Sequence, residues 1–167
     1  PHLLRSFAQH RTTRTALDGR VLSGGHGQAA ATPTPIVLAA VSSDGQWLVT
    51  ADTARRMHVF HLDTLSHQRA LATPAYVPSG ACFHPTHPSL LALVLPTNQV
   101  SFYDLEADGE APAWEAALRR DLDAALSRIR EPVVGCTWLP GPDGHASLCV
   151  YGPTWICTAR PLTTLSR

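Results

Sequence analysis

The sequence predicts an all-β chain in which one antiparallel unit of strands is repeated, as in the blades of a β-propeller. Three observations predict it. Two stretches share one plan: Ile36–Val41, a Ser43-Asp-Gly45 turn, Trp47–Thr50 and a strand through Arg56–Asp63, then Gly80–Phe83, Leu90–Leu95 and Gln99–Glu106. Phe60 and Tyr103 fill equivalent slots 43 residues apart, within the roughly 40–45-residue period of blade repeats. A third copy opens at Val133 and carries its turn at Gly141-Pro-Asp-Gly144.

The elements follow in order. Residues 1–10, with the apolar start Leu3-Leu4, read as the outer strand of a preceding blade, and Gln9-His10 stands where WD repeats usually carry Gly-His. Residues 11–35 are dense in Gly, Pro, Ala and Thr, including Gly24-Gly-His-Gly27, and read as a loop or linker. Residues 36–75 form a blade. Its run Ile36–Val41 suits a strand buried on both faces. Asp44-Gly45 tolerate the dihedrals that reverse it. Met57, Val59 and His61 alternate with His58, Phe60 and Leu62, and Ser66–Ala72 reads as the outer strand. Residues 76–111 form the next blade, with Pro85 and Pro88 in its first turn.

Residues 112–131 are an insert with a helix. Trp114, Leu118, Leu122, Leu126 and Ile129 recur at about four-residue spacing, and Pro132 follows. The stripe predicts a helix packed on the rim of the sheets. Residues 132–167 form the last blade, with strands at Val133–Leu139, Ser147–Tyr151 and Thr154–Ala159. About three blades are present, fewer than the four to eight that close a ring. The chain is therefore expected to be part of a longer propeller, an expectation that its start at Pro1 also favours.

Composition narrows the chemistry. The 167 residues are 44% apolar with a formal net charge of zero, which fits a globular domain and gives no global attraction for nucleic acid. There is no lysine; all 13 basic residues are arginine. A P-loop and a Schiff-base mechanism both need lysine. The apolar runs are strand-length, short of a bilayer span. Cys82, Cys136, Cys149 and Cys157 form no Cys-x-x-Cys pair and read as buried, reduced thiols.

Candidate catalytic and metal features are weak. His58/His61 are spaced i, i+3, which in a strand points them to opposite faces. His84/His87 sit in a Pro-rich turn without a carboxylate or thiol to complete a shell. No Gly-x-Ser-x-Gly elbow accompanies the glycines of residues 24–27. Asp121/Asp123 and Glu106/Asp108/Glu110 read as solvated faces. No metal, cofactor or catalytic residue is expected. The arginines are the candidate contacts for RNA or an acidic partner, through their planar fork of donors. They are Arg5, Arg11, Arg14 and Arg20 near the start, Arg55 and Arg56 in a turn, and Arg119 and Arg120 on the helix.

Four segments together resemble those of one WD-repeat family. Ala51–Leu62 resembles a strand opening Asp-x-x-x-Arg and ending Val-Phe. Asn98–Leu105 resembles the next blade's Asn to Phe/Tyr-Asp strand. Pro112–Arg119 is similar to a Trp-Ser-Arg segment, with Trp114-Glu-Ala here and the arginine displaced to Arg119. Glu131–Trp138 is similar to an Asp-x-Val-x-Gly-x-x-Trp segment. The order and spacing match over roughly residues 36–160, and the family so resembled is that of the cirhin-like subunits of the small-subunit processome. The resemblance implies a WD40-type propeller, here the closing blades of a second propeller, with an extended strand at Trp114 before a shorter helix. It also implies a non-enzymatic scaffold in the nucleolus. The implied partners are other processome subunits and, as a candidate, the 5′ external transcribed spacer of pre-rRNA; no membrane or small-molecule substrate is implied. The rival expectations are a generic WD40 adaptor outside ribosome assembly, and an enzyme whose active residues lie elsewhere.

Overall fold

A computed structural model describes residues 9–13, 23–24, 28–29, 31–107, 113–141 and 145–160. The main elements are three antiparallel sheets arranged side by side. The first has four strands in sequence order: β5 (Ile36–Val41), β6 (Trp47–Asp52), β7 (Met57–His61) and β8 (Ser66–Leu71). The second has β9 (Gly80–Phe83), β10 (Leu90–Val94) and β11 (Val100–Asp104). The third has β12 (Gly135–Pro140), β13 (Ala146–Tyr151) and β14 (Ile156–Ala159). One helix, α1 (Ala113–Leu126), joins the second sheet to the third.

Local chemistry sets these hairpins. In the β5–β6 turn Gly45 has φ 76°, a left-handed conformation that glycine adopts without a Cβ penalty. The Asp44 carboxylate accepts from the Gln46 amide at 3.0 Å and from the Ser42 hydroxyl. Ser42 Oγ in turn accepts from the Trp47 amide at 2.9 Å. Between β10 and β11, Asn98 takes the left-handed position with φ 62°, which asparagine tolerates better than most residues.

Alternation along the strands then divides the core. Trp47, Val49, Ala51, Met57 and Val59 of the first sheet pack against Phe83, Leu91, Leu93, Leu95 and Leu105 of the second. The other face of the second sheet, with Leu90, Ala92, Val94, Val100 and Phe102, packs against Cys136, Trp138, Leu148 and Val150 of the third. Strand β10 is therefore buried along its whole length. The same burial was expected of Ile36–Val41, and the structure corrects it. β5 is an edge strand whose Ile36, Val37 and Val41 are 54%, 51% and 55% exposed. A continuous apolar run is compatible with two-sided burial, but only neighbours on both faces supply it.

Helix α1 buries the three leucines of the predicted stripe, and the Trp114 side chain lies outside the described residues. Leu118, Leu122 and Leu126 lie in the core formed by the second and third sheets, and Ile129 packs partly against it. Burying side chains of this size contributes about 1.5–3 kcal/mol each. The helix touches both β11 and β14, so it fills the outer space between two sheets whose first strands are close. It ends at Leu126, six residues before Pro132, and its last turn closes through bonds such as Ser127 N–H to Asp123 O at 3.0 Å. The extended strand that the family resemblance implies at Trp114 is not seen, because α1 already includes this residue.

The segment expected as a loop, residues 11–35, contains short strands. β1 (Arg11–Thr13) pairs with β4 (Ala31–Pro33), and β2 (Ser23–Gly24) pairs with β3 (Gln28–Ala29). Glycine and proline density hid these ladders, which are too short to show an alternation. Of the strand expected within residues 1–10, only Gln9 and His10 are among the described residues. The last strand begins at Ile156, two residues later than expected.

Candidate functional site

The densest polar cluster among the described residues is centred on Asp52 at the end of β6. Its carboxylate is fully buried. The β6–β7 turn folds back on it: Oδ1 accepts from the amides of Ala54 at 2.9 Å and Arg56 at 3.0 Å. Oδ2 accepts from Arg56 Nε at 2.9 Å and Nη2 at 2.7 Å, from the Thr34 hydroxyl at 2.6 Å, and from His10 Nδ1 at 2.9 Å. Arg56 also donates to Thr34 Oγ1. Burial pushes the Asp52 carboxyl up, but the bonds from Thr34, His10 and Arg56 outweigh it and hold it well below the usual carboxylate range. A buried charge is tolerated only when paired and hydrogen-bonded in this way.

His10 extends the cluster. Its Nε2 lies 2.7 Å from the Thr50 hydroxyl, and Thr34 N–H donates to the His10 carbonyl at 2.9 Å. The β1–β4 ladder is thereby tied to the first sheet from residues about forty positions away. Thr50, His10 and Asp52 share the connectivity of a nucleophile, base and orienting acid. Burial decides against that chemistry: Thr50 is 5% exposed, and Asp52 is already committed to Arg56. The cluster is a clamp.

Further histidines surround it. The His58 ring meets His10 edge-on with centroids 4.6 Å apart, and its Nδ1 lies 3.0 Å from His67 Nε2. Burial, then the nearby His10, His67 and Arg56, lower the His58 pKa to about 4. His61 faces the other way, against Trp47 at 4.9 Å, as the i, i+3 spacing predicts. In the second sheet His84 is buried, accepts at Nδ1 from the Thr86 and His87 amides at 3.2 Å, and meets the edge of Trp138 at 4.4 Å. Burial and His87 lower its pKa to about 4. Among the described residues no group of three or more His, Cys, Asp or Glu is placed to hold a metal ion.

The structure separates the predicted arginines. Arg56 is bound to Asp52 and only partly exposed, so its donors hold the turn together. Arg55 is exposed with φ 66°, and its Nη1 donates to the Ala75 carbonyl at 2.7 Å. Arg119 and Arg120 are exposed on α1, beside buried Leu118. Arg11 opens β1 opposite Pro33, and Arg5, Arg14 and Arg20 lie outside the described residues.

Two joints escaped sequence reasoning. Arg69 on β8 donates to the carbonyls of Asp104 and Leu105 at 3.2 and 3.1 Å, linking the first sheet to the second. The Asn98 side chain donates to the carbonyls of Ile129 and Glu131 at 2.9 and 3.1 Å and accepts from the Val133 amide at 2.8 Å. It thus fixes the path from α1 into β12. Asn98 stands in a quoted motif, but nothing local shows which backbone it will meet.

Apolar surface remains at both ends of the three-sheet row. Val37 and Val41 are exposed on the first sheet, and Leu139, Tyr151 and Ile156 on the third at 41%, 38% and 74%. Beside the latter, residues Tyr151–Ile156 line an open cleft of about 480 Å³. No helix among the described residues is long and apolar enough to cross a membrane. Compared with known proteins, the chain matches no family model and no curated protein.

Proposed function

We propose that the three sheets are successive blades of a WD40-type propeller that serves as a non-enzymatic assembly scaffold. The carrying observation is that the first strands of the sheets are neighbours, β5 beside β9 and β9 beside β12, while α1 fills the widening space between β11 and β14. This is the arrangement expected when blades share an inner line of strands. The exposed apolar faces at both ends support the same reading, since a further blade packed on each would cover them. Rigid sheets of this kind present loops, and the loops select partners.

The complex we assign to the scaffold is the early small-subunit processome in the nucleolus, with other processome subunits as partners and the 5′ external transcribed spacer of pre-rRNA as a candidate ligand. The four-segment resemblance supports it. Three of those segments fall on repeat strands or their joints: Ala51–Leu62 runs from the end of β6 through β7, Asn98–Leu105 contains β11, and Glu131–Trp138 leads into β12.

Affinity purification of the full-length protein from its own cells, with mass spectrometry and RNA sequencing of what co-purifies, tests this reading. Recovery of processome subunits with spacer pre-rRNA is the expected result. Recovery of an unrelated complex without rRNA precursors would reject the processome and favour a WD40 adaptor of another pathway. Turnover of a substrate by the purified protein would reject the non-enzymatic reading.

A further inference from the structure

The four cysteines are free thiols, but they are not equivalent. Cys82 on β9 and Cys136 on β12 belong to different sheets and lie 54 residues apart in sequence, yet their sulfurs are 3.3 Å apart, with the Cys82 thiol donating to Cys136. Gly80 permits that approach. A Cβ on Gly80 would lie 2.9 Å from the Gly135 Cα and 3.1 Å from the Cys136 nitrogen, so β9 and β12 run closer together than side chains would allow. The other two cysteines are placed differently. Cys149 pairs with Thr137 in the β12–β13 ladder, one position from the Cys136–Val150 pair, so it points to the opposite face. Cys157 sits on β14, across from Val150 and beyond the central strand.

We propose that Cys82 and Cys136 form an oxidisable pair that closes into a disulfide joining the second sheet to the third. The separation of 3.3 Å exceeds the roughly 2.05 Å of a disulfide, a gap that rotation of the two side chains and a small approach of the strands would close. Glutathione disulfide is the class of oxidant. One protein thiol loses its proton, and its thiolate attacks a glutathione sulfur, releasing one glutathione thiolate that takes up a proton. The second protein thiol, deprotonated in turn, attacks the protein sulfur of the mixed disulfide and releases the second glutathione. Two protein thiols are oxidised and one glutathione disulfide is reduced to two thiols. Cys82 is the half-buried residue of the two and Cys136 the buried one. The hydrogen bond to Cys136 and then burial hold the Cys82 thiol above its ordinary range, so closure is slow at neutral pH and faster in alkali. The crosslink restrains the close joint between β9 and β12 without requiring either sheet to move far.

The test is to incubate the full chain with glutathione disulfide under native buffer, alkylate the remaining thiols, and map the peptides by mass spectrometry. The expected result is loss of two thiols, a peptide pair joined through Cys82 and Cys136, and reversal by dithiothreitol. The melting temperature should rise by about 5 °C on closure. A C149S/C157S double variant should still close the bond. Four thiols that stay alkylatable while circular dichroism remains native would overturn the proposal. So would a crosslink mapped to Cys149 or Cys157, or a stable glutathione adduct on Cys82 that Cys136 never displaces.

Discussion

Arg56 and Asp52 form a closed clamp across one turn: Nε and Nη2 of the arginine reach the same carboxylate oxygen at 2.9 and 2.7 Å, while the Arg56 amide reaches the other at 3.0 Å. Side chain and main chain of one residue thus saturate the acid from both sides. His10 and Thr34 complete the shell from a different part of the chain. An arginine that reads from sequence as an available cation is in fact the counter-ion of a buried charge.

Removing the acid should therefore cost more than removing a surface ion pair. Asp52→Ala leaves the Arg56 guanidinium, two turn amides and His10 without their acceptor, and is expected to destabilise the fold by about 3–5 kcal/mol. Urea unfolding followed by circular dichroism measures it. A loss below about 1 kcal/mol would show that the clamp is not holding the turn.

The buried histidines make stability depend on pH. His58 and His84 titrate near 4 in the fold, against 6.5 for an ordinary histidine. As pH falls, the unfolded chain takes up protons before the native one does. Their neutral burial costs nothing above about pH 6.5, and stability is lost between about 6.5 and 4. Asp52 acts lower: its carboxyl is depressed from 3.8, so the stability that it supplies above that pH drains away below it. Thermal melts from pH 7.5 to 4.5 should show a falling midpoint, and H58Q/H84Q should flatten the fall. A wild-type midpoint constant over this range would contradict neutral burial.

Helix α1 is held by its leucines. Leu122 is fully buried between the second and third sheets, and Leu122→Ala should cost about 2–5 kcal/mol through lost burial and a residual cavity. Ala124→Ser on the exposed side should change stability by less than about 0.5 kcal/mol. Equal effects of the two in chemical denaturation would mean that the stripe is not the packing face.

Partner binding tests the exposed Arg119 and Arg120 separately from the arginines near the start. On the proposed scaffold reading, replacing Arg119 and Arg120 with alanine leaves the core untouched and should weaken association with partners at unchanged stability. Replacing Arg11, Arg14 and Arg20 together should weaken association and flatten its salt dependence. Pull-down of the full-length protein at low and high salt reads both. Binding unchanged by either set at both salt concentrations would remove the arginines from the interface.

Much of the fold is legible in local sequence. Asp44-Gly45 announces its hairpin because the turn conformation depends on those residues themselves. Leu118, Leu122 and Leu126 announce a helix face because four-residue spacing is a property of the helix. The candidate site was less legible. His10 meets Asp52 across forty-two positions and Arg69 meets Leu105 across thirty-six, and neither spacing leaves a periodic mark. Val37 and Leu93 look alike in sequence, yet one is 51% exposed and the other fully buried, because only β10 has a sheet on each side.

The sequence by itself determined the repeat, the order of strands within the three sheets, the reversals and the helical insert, since each depends on contacts within a few residues. Only the tertiary structure decided which apolar strand is central, which arginine is a counter-ion, and which two of four thiols meet. Those outcomes depend on how whole sheets pack, and packing brings together residues that no local period relates.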